Sequence, residues 1–105
     1  MLSNVPGSRS VNPPLVSICT PTYNRPEYLR RAIESCLGQT YPHFEIIITD
    51  NSVNPDGSVN DESAEVAAKF NDARIRYFSN GGNIGPQASA IKSKELSTGQ
   101  YIRCV

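Results

Sequence analysis

Residues 16–26 read VSICTPTYNRP, in which an apolar segment passes through a short polar turn into the start of a helix. The apolar segment shows no regular alternation with polar positions, which is typical of a strand covered on both faces. Pro21 cannot donate to a central strand ladder, so we predict that this strand, residues 15–20, ends before it. Pro26 has no N–H and suits the first turn of a helix. Residues 22–25 would then lie where open α/β sheets bind ligands, at the carboxyl end of a strand.

The remainder of the chain continues this alternation of strands and helices. Apolar residues at helical spacing or in short β-branched runs, together with turn residues between them, predict helices over 26–37, 61–70 and 86–96. They predict strands over 15–20, 44–49, 74–79 and 100–105. The order βαβαβαβ predicts an α/β fold, a Rossmann-like three-layer arrangement in which a parallel sheet has helices on both faces. Residues 1–14 are expected to be a flexible leader, and residues 15–105 the folded part.

Composition narrows the classes of partner. The 105 residues include ten basic and ten acidic side chains, which cancel, so no basic surface predicts nucleic acid as a partner. No apolar run approaches the roughly 20 residues of a membrane span, and no transmembrane segment is predicted. We expect a cytoplasmic protein, in solution or at the periphery of a membrane. Cys19, Cys36 and Cys104 are far apart and are expected to be buried free thiols.

Four motifs in sequence resemble a known family. The turn PTYNR at 21–25 is followed by LRRAIESCLGQTYP at 29–42 and by FEIIITDNS at 44–52. Asn83-Ile84-Gly85 then leads to GQYI at 99–102. In order and spacing, residues 15–105 resemble the N-terminal half of a family 2 glycosyltransferase with the GT-A fold. The resemblance implies an inverting enzyme that transfers a sugar from a nucleotide-diphosphate-sugar to an acceptor hydroxyl, as in polysaccharide or glycoconjugate biosynthesis. The acceptor would be a carbohydrate or a lipid-linked molecule.

The resemblance also implies which residues bind the donor. The substrate-binding residues that it implies are Pro21, Thr22, Tyr23, Asn24, Asp50 and Asn83. Tyr23 has a ring that can stack on a base, and an ionised Asp50 can accept the ring N–H of uracil, which favours UDP-sugars as donors. Without the resemblance, Tyr23 reads equally as a half-buried aromatic residue, and Asp50 as ordinary loop chemistry. We expect Arg25 to be a solvated residue near a helix start rather than a phosphate contact.

The chain departs from the family pattern in two places. Thr49 stands where the family commonly has the first of two acids. The Asp-x-Asp motif, which binds the metal and the diphosphate, would begin beyond Val105, and so would the catalytic residues, which remain unknown. The chain is therefore expected to be a truncated piece that is inactive alone and binds no metal, although the full enzyme would use Mn or Mg. Its unfinished sheet edge predicts self-association.

Three other functions remain open from the sequence. The first is a non-catalytic nucleotide-binding or interaction α/β module. The second is a nucleotidyltransferase, which is disfavoured because residues 20–26 lack the glycine-rich, basic loop that such enzymes use. The third is an unrelated signalling α/β domain, which is disfavoured because no acidic pocket is visible at the end of the first strand.

Overall fold

The computed structural model describes residues 13–105, so most of the predicted leader lies outside the described residues. The elements in chain order are β1 Val16–Thr22, α1 Pro26–Leu37, β2 Phe44–Asp50, α2 Glu62–Lys69, β3 Ile75–Ser79, α3 Pro86–Leu96 and β4 Tyr101–Cys104. The predicted order βαβαβαβ is confirmed, and α1 and α3 have the predicted bounds. Both helices begin at a proline, which fits the first helical position. None of the helices in residues 13–105 is long and apolar enough to cross a membrane.

All four strands form one parallel sheet, in the order β3-β2-β1-β4. The connections run outward from β1 through β2 to β3, and the third connection returns to place β4 on the other side of β1. The direction of winding therefore changes between β1 and β4. In open α/β sheets a crevice forms above the carboxyl ends of the strands at such a switch point.

The two faces of the sheet are packed in different ways. On one face Ile18, Ile46 and Ile48 join Leu29 and Ile33 of α1 in a buried apolar cluster. On the other face α3 packs through small polar side chains. The fully buried members of that second set are Ser17, Thr49, Ser89 and Ser93. Helices therefore cover both faces, as predicted, with an apolar layer on the α1 side. On the α3 side, hydrogen-bonded polar residues are buried beside Cys19 and Ile47.

The prediction that β1 ends before Pro21 is wrong. The strand continues to Thr22, with Pro21 in register with Thr49 and Thr22 with Asp50. The Thr22 carbonyl accepts the Asn51 N–H on the β2 side at 2.9 Å, whereas the Cys19 carbonyl accepts the Val105 N–H on the β4 side at 2.9 Å. Backbone groups alternate sides along a strand, so the Pro21 nitrogen faces the β4 side. The paired register with β4 ends at Cys19 and Cys104, and Pro21 therefore interrupts no pair in it.

The three cysteines are free, as predicted, but they are not all buried. Cys19 and Cys36 are buried, and burial raises the pKa of the Cys36 thiol. Cys104 is exposed, which corrects the expectation that it is buried. It lies on β4 at the edge of the sheet, where every residue of the strand is exposed.

Glu45 of β2 is a buried carboxylate that joins several elements on the α3 side. It accepts hydrogen bonds from the Ser17 hydroxyl at 2.6 Å, the Thr98 N–H at 2.7 Å and the Arg76 guanidinium at 3.0 Å. Burial alone raises the pKa of Glu45, but these hydrogen bonds outweigh it and lower that pKa below its ordinary value. Thr98 lies in the turn between α3 and β4, and Gly99 follows it. A Cβ on residue 99 would lie 2.6 Å from the Leu15 carbonyl oxygen, so only glycine fits this close approach to β1. Glu45 thus holds the turn that leads into β4 against β1.

We predict that Glu45→Gln lowers the free energy of unfolding by about 2 kcal/mol near neutral pH, since hydrogen bonds to a charged group contribute about 1.5–3 kcal/mol. The pKa of Glu45 is lower in the folded chain than in the unfolded one. Its stabilising effect is therefore complete above the unfolded-state pKa of about 4.3 and is lost as pH falls through the folded-state pKa. Urea unfolding at neutral pH and near pH 3 measures both effects.

Glu34→Gln is the matched control, because its side chain is 52% exposed on α1 and it should change stability little. An equal gap between the wild-type chain and Glu45→Gln at both pH values would contradict the assignment.

Candidate functional site

A cavity of about 380 Å³ opens at the carboxyl edge of the sheet. It is lined by Pro21, Thr22, Tyr23, Arg25, Tyr28, Asn51, Asn83 and Pro86. These residues come from the end of β1, the start of α1, the segment after β2 and the start of α3. The crevice thus brings together four of the six predicted binding residues, namely Pro21, Thr22, Tyr23 and Asn83. Thr22 and Asn83 are far apart in sequence, and the parallel crossovers bring them to the same edge of the sheet. We call this cavity the crevice.

Two tyrosines line the crevice with little protein covering them. The side chains of Tyr23 and Tyr28 are 47% and 65% exposed. Tyr28 was not predicted as a site residue, yet it lies in the first turn of α1 and off the buried stripe of Leu29, Ile33 and Cys36. An exposed aromatic residue on the polar side of a helix start was the signal available for it. Both rings can offer an apolar face to a planar ligand.

Asn24 does not line the crevice but joins the two turns beside it. Its backbone has a φ of 51°, in the left-handed region. Its N–H donates to the Ser52 hydroxyl at 2.8 Å, and its Oδ1 accepts the Val53 N–H at 2.9 Å. The side chain therefore ties the turn after β1 to the segment after β2. Direct contact between Asn24 and a ligand stays a prediction.

Asp50 also lies outside the lining of the crevice. It is 2% exposed. Its Oδ1 accepts the Ser52 N–H at 2.9 Å, and its Oδ2 accepts the hydroxyl of Tyr77. Burial, and then this hydrogen bond, raise the pKa of Tyr77. Since side chains alternate along a strand, Asp50 points to the same face as Ile48, the face on which its register partner Thr22 also lies. Contact between Asp50 and a base stays a prediction.

Asn51, which sequence reasoning missed, holds the far wall of the crevice. It is 4% exposed. Its Nδ2 donates to the Gly85 carbonyl at 3.0 Å, and its Oδ1 accepts the Asn80 amide at 2.8 Å. Asn83 accepts the Gly85 N–H at 2.9 Å within the same loop. These hydrogen bonds fix the loop before α3 to the end of β2. Asn83 of that loop lines the crevice together with Tyr23 and Tyr28.

The residues present do not fit a metal ion. Among residues 13–105 no group of three or more His, Cys, Asp or Glu side chains could hold one. The lining of the crevice includes no carboxylate, thiol or imidazole group within that part of the chain. No metal ligand is therefore assigned in the described residues.

An open parallel sheet of order 3-2-1-4, with a crevice at its switch point, defines a doubly wound α/β protein. The model of the family described as "Glycosyl transferase family 2" matches residues 17–105. The chain belongs to glycosyl transferase family 2.

Relatives support this assignment. An uncharacterized glycosyltransferase of Haemophilus influenzae is 38% identical over 94 residues, which cover 88% of this chain and 35% of the relative. WcaA of Escherichia coli K12, assigned to colanic acid biosynthesis as a glycosyl transferase, is 38% identical over 91 residues, which cover 87% of this chain and 31% of WcaA. The chain thus spans about a third of the length of these two relatives.

Solved structures agree on the fold. Residues 1–349 of TarS from Staphylococcus aureus give a TM-score of 0.73 at 21% identity, over 86% of this chain and 26% of that one. The mannosyltransferase PcManGT of Pyrobaculum calidifontis, in complex with GDP-Man and Mn²⁺, gives a TM-score of 0.70 at 16% identity, over 85% of this chain and 26% of that one. The expected GT-A-type fold is confirmed for the part of it that this chain covers.

Thr49, the departure from the family pattern, has a structural explanation. It is fully buried on the α3 face, where its hydroxyl donates to the Ser89 carbonyl at 3.1 Å. The Ser89 hydroxyl in turn donates to Thr49 Oγ1 at 2.9 Å. An ionised carboxylate accepts hydrogen bonds only and could not make the first of these contacts.

We predict that Asn24→Ala lowers the free energy of unfolding by about 2–3 kcal/mol, and Asn24→Gly by about 1 kcal/mol. Both variants lose the acceptor for the Val53 N–H, which contributes about 1 kcal/mol. Only alanine adds the cost of a left-handed backbone, about 1–2 kcal/mol. Urea unfolding of both variants measures the difference.

Asn71 is the control, because it also has a left-handed backbone, with a φ of 49°, but lies after α2 and away from the crevice. Asn71→Ala should therefore lose stability through the same backbone strain. Equal stability of the two Asn24 variants would refute a contribution from backbone strain.

Proposed function

We propose that this chain forms the donor-binding part of an enzyme that transfers a sugar from a nucleotide-diphosphate-sugar to an acceptor hydroxyl. The observation that carries this proposal is the crevice, in which Pro21, Thr22, Tyr23 and Asn83 converge at the switch point of the sheet. Membership of glycosyl transferase family 2 supports it. The name of WcaA, a glycosyl transferase of colanic acid biosynthesis, supports a place in polysaccharide or glycoconjugate biosynthesis. A carbohydrate or lipid-linked acceptor stays a prediction.

The crevice contains groups suited to the parts of a nucleotide. The exposed ring of Tyr23 offers a stacking surface for the base. The Thr22 hydroxyl and the Asn83 amide can each donate to and accept from ribose hydroxyls. Pro21 contributes a rigid apolar wall next to them, because its ring restricts the backbone.

The family resemblance leads us to propose an inverting transfer. In such a reaction a base removes the proton of the acceptor hydroxyl, which attacks the sugar carbon opposite the departing nucleotide. None of the crevice residues in 13–105 is a carboxylate or histidine that could act as this base. We therefore expect the chain by itself to bind a donor without transferring its sugar. The Mn or Mg expected for the full enzyme has no ligands assigned in these residues.

The preference for uridine remains open. This preference depends on a contact between the uracil N–H and Asp50, which is not among the residues that line the crevice. PcManGT, which shares the fold, was solved with GDP-Man. The second candidate function is a nucleotide-binding α/β module that does no transfer chemistry. It is consistent with the crevice lining, which includes no carboxylate to act as a base.

Self-association and location are further proposals. On β4, Tyr101 and Ile102 are 61% and 47% exposed at the sheet edge, which supports self-association through that edge. A cytoplasmic location stays a prediction.

We predict that the folded chain binds UDP or GDP in calorimetric titration and that Tyr23→Ala weakens this binding about tenfold. Stacking of a base on an aromatic side chain contributes about 1–3 kcal/mol, which corresponds to roughly 5- to 150-fold in affinity. Manganese should change the affinity little, because the crevice has no metal ligands. Comparison of UDP with GDP tests the uridine preference.

Tyr101→Ala is the matched control for Tyr23→Ala. Tyr101 is also exposed, but it pairs with Val16 at the amino end of β1, away from the crevice. Equal weakening by both variants would contradict a stacking role for Tyr23. Absence of binding by a sample shown to be folded would overturn the proposed function.

A further inference from the structure

The crevice is electrostatically one-sided. Of its eight lining residues, only Arg25 is charged, and none is acidic. A cavity with one cation and no carboxylate favours an anionic ligand over a neutral or cationic one. The feature is independent of the exposed tyrosines, which favour a planar ligand whatever its charge.

Among residues 13–105, no acidic side chain forms an ion pair with Arg25. The acid next to it in sequence, Glu27, accepts hydrogen bonds from Arg30 and lies 3.7 Å from Arg31. The hydrogen bond with Arg30 lowers the pKa of Glu27, which keeps it ionised and paired there. The ion pairs formed within residues 13–105 use other arginines than Arg25. The Arg25 guanidinium is therefore available to form an ion pair with an anionic ligand.

The backbone of Arg25 is held in place at the rim of the crevice. It is the N-cap residue of α1, and its carbonyl accepts the Leu29 N–H at 2.9 Å. The residue before it, Asn24, is tied to Ser52 and Val53 through its N–H and its side chain. The side chain of Arg25 thus starts from a fixed point beside Tyr23.

We propose that Arg25 binds the diphosphate of the donor nucleotide; this inference rests on the proposed function above. A guanidinium group presents paired N–H donors that match phosphate oxygens, and such charge-assisted hydrogen bonds are about twice as strong as neutral ones. Arg25 then distinguishes a nucleotide from its nucleoside. Arg25 is exposed at the start of α1, as expected from the sequence, and the proposal adds a phosphate contact at that position.

The test is a titration of the full chain with a nucleoside diphosphate and with the matching nucleoside. UDP and uridine serve if UDP binds more tightly than GDP, and GDP and guanosine serve otherwise. We expect Arg25→Gln to weaken diphosphate binding about tenfold and to change nucleoside binding less than about twofold. Arg25→Lys, which keeps the charge but loses the paired donors, should recover part of the diphosphate affinity.

Arg31→Gln is the matched control, because it removes the same charge from the same helix at a side chain that is 75% exposed and outside the crevice lining. It should leave the affinities for both ligands unchanged. Circular dichroism and urea unfolding check that all three variants are folded.

Two outcomes would overturn the assignment of Arg25. In the first, Arg25→Gln weakens nucleoside and diphosphate binding equally, which would place Arg25 at the base or ribose. In the second, Arg31→Gln weakens diphosphate binding as much as Arg25→Gln, which would indicate a long-range charge effect. Failure of the proposed function looks different, because the folded wild-type chain would then bind neither the diphosphates nor the nucleosides.

Discussion

The parallel pairing of β1 with β2 is the constraint on which the rest of the molecule depends. Seven residues of each strand lie in register, from Val16 with Phe44 to Thr22 with Asp50. Because the strands are parallel, both carboxyl ends reach the same edge of the sheet. The turn after β1 and the segment after β2 therefore meet, and the Thr22 carbonyl and Asn24 bind backbone and side-chain groups of residues 51–53 directly. A register shift of one residue would turn every side chain of a strand to the opposite face.

The strands are buried by different kinds of contact on the two faces of the sheet. Apolar contacts, which have no directional requirement, cover the α1 side. On the α3 side, where Cys19 and Ile47 are also buried, hydrogen bonds join Glu45 and Thr49 to groups of α3 and of the turn that follows it. Directional bonds of this kind position α3 more narrowly than apolar packing does, and the start of α3 forms one wall of the crevice. The polar layer thus connects the stability of the fold to the shape of the site.

The charge of the crevice depends on the acidic residues near it as well as on the residues that line it. Asp50 and Glu27 are acids near this edge, but Asp50 is engaged by Ser52 and Tyr77, and Glu27 by Arg30. With both acids occupied, the lining carries the positive charge of Arg25 alone. This composition fits the proposed binding of a nucleotide with its phosphates. It does not contain the base that a transfer reaction requires.

The sequence by itself determined the order of the elements and, apart from the end of β1, placed their ends to about one residue. Proline at the first helical position, apolar residues at helical spacing and a run of three isoleucines are local signals, and they act whatever the distant contacts are. Pro21, Thr22, Tyr23 and Asn83 were likewise predictable as neighbours, because residues that follow parallel strands share one edge of the sheet. Only the tertiary structure decided that β1 continues through Pro21, that Asp50 is buried against Ser52 and Tyr77, and that Arg25 and Tyr28 line the crevice. Each of these outcomes depends on which side of a strand or helix a neighbouring element occupies, and a linear pattern of residues does not contain that information.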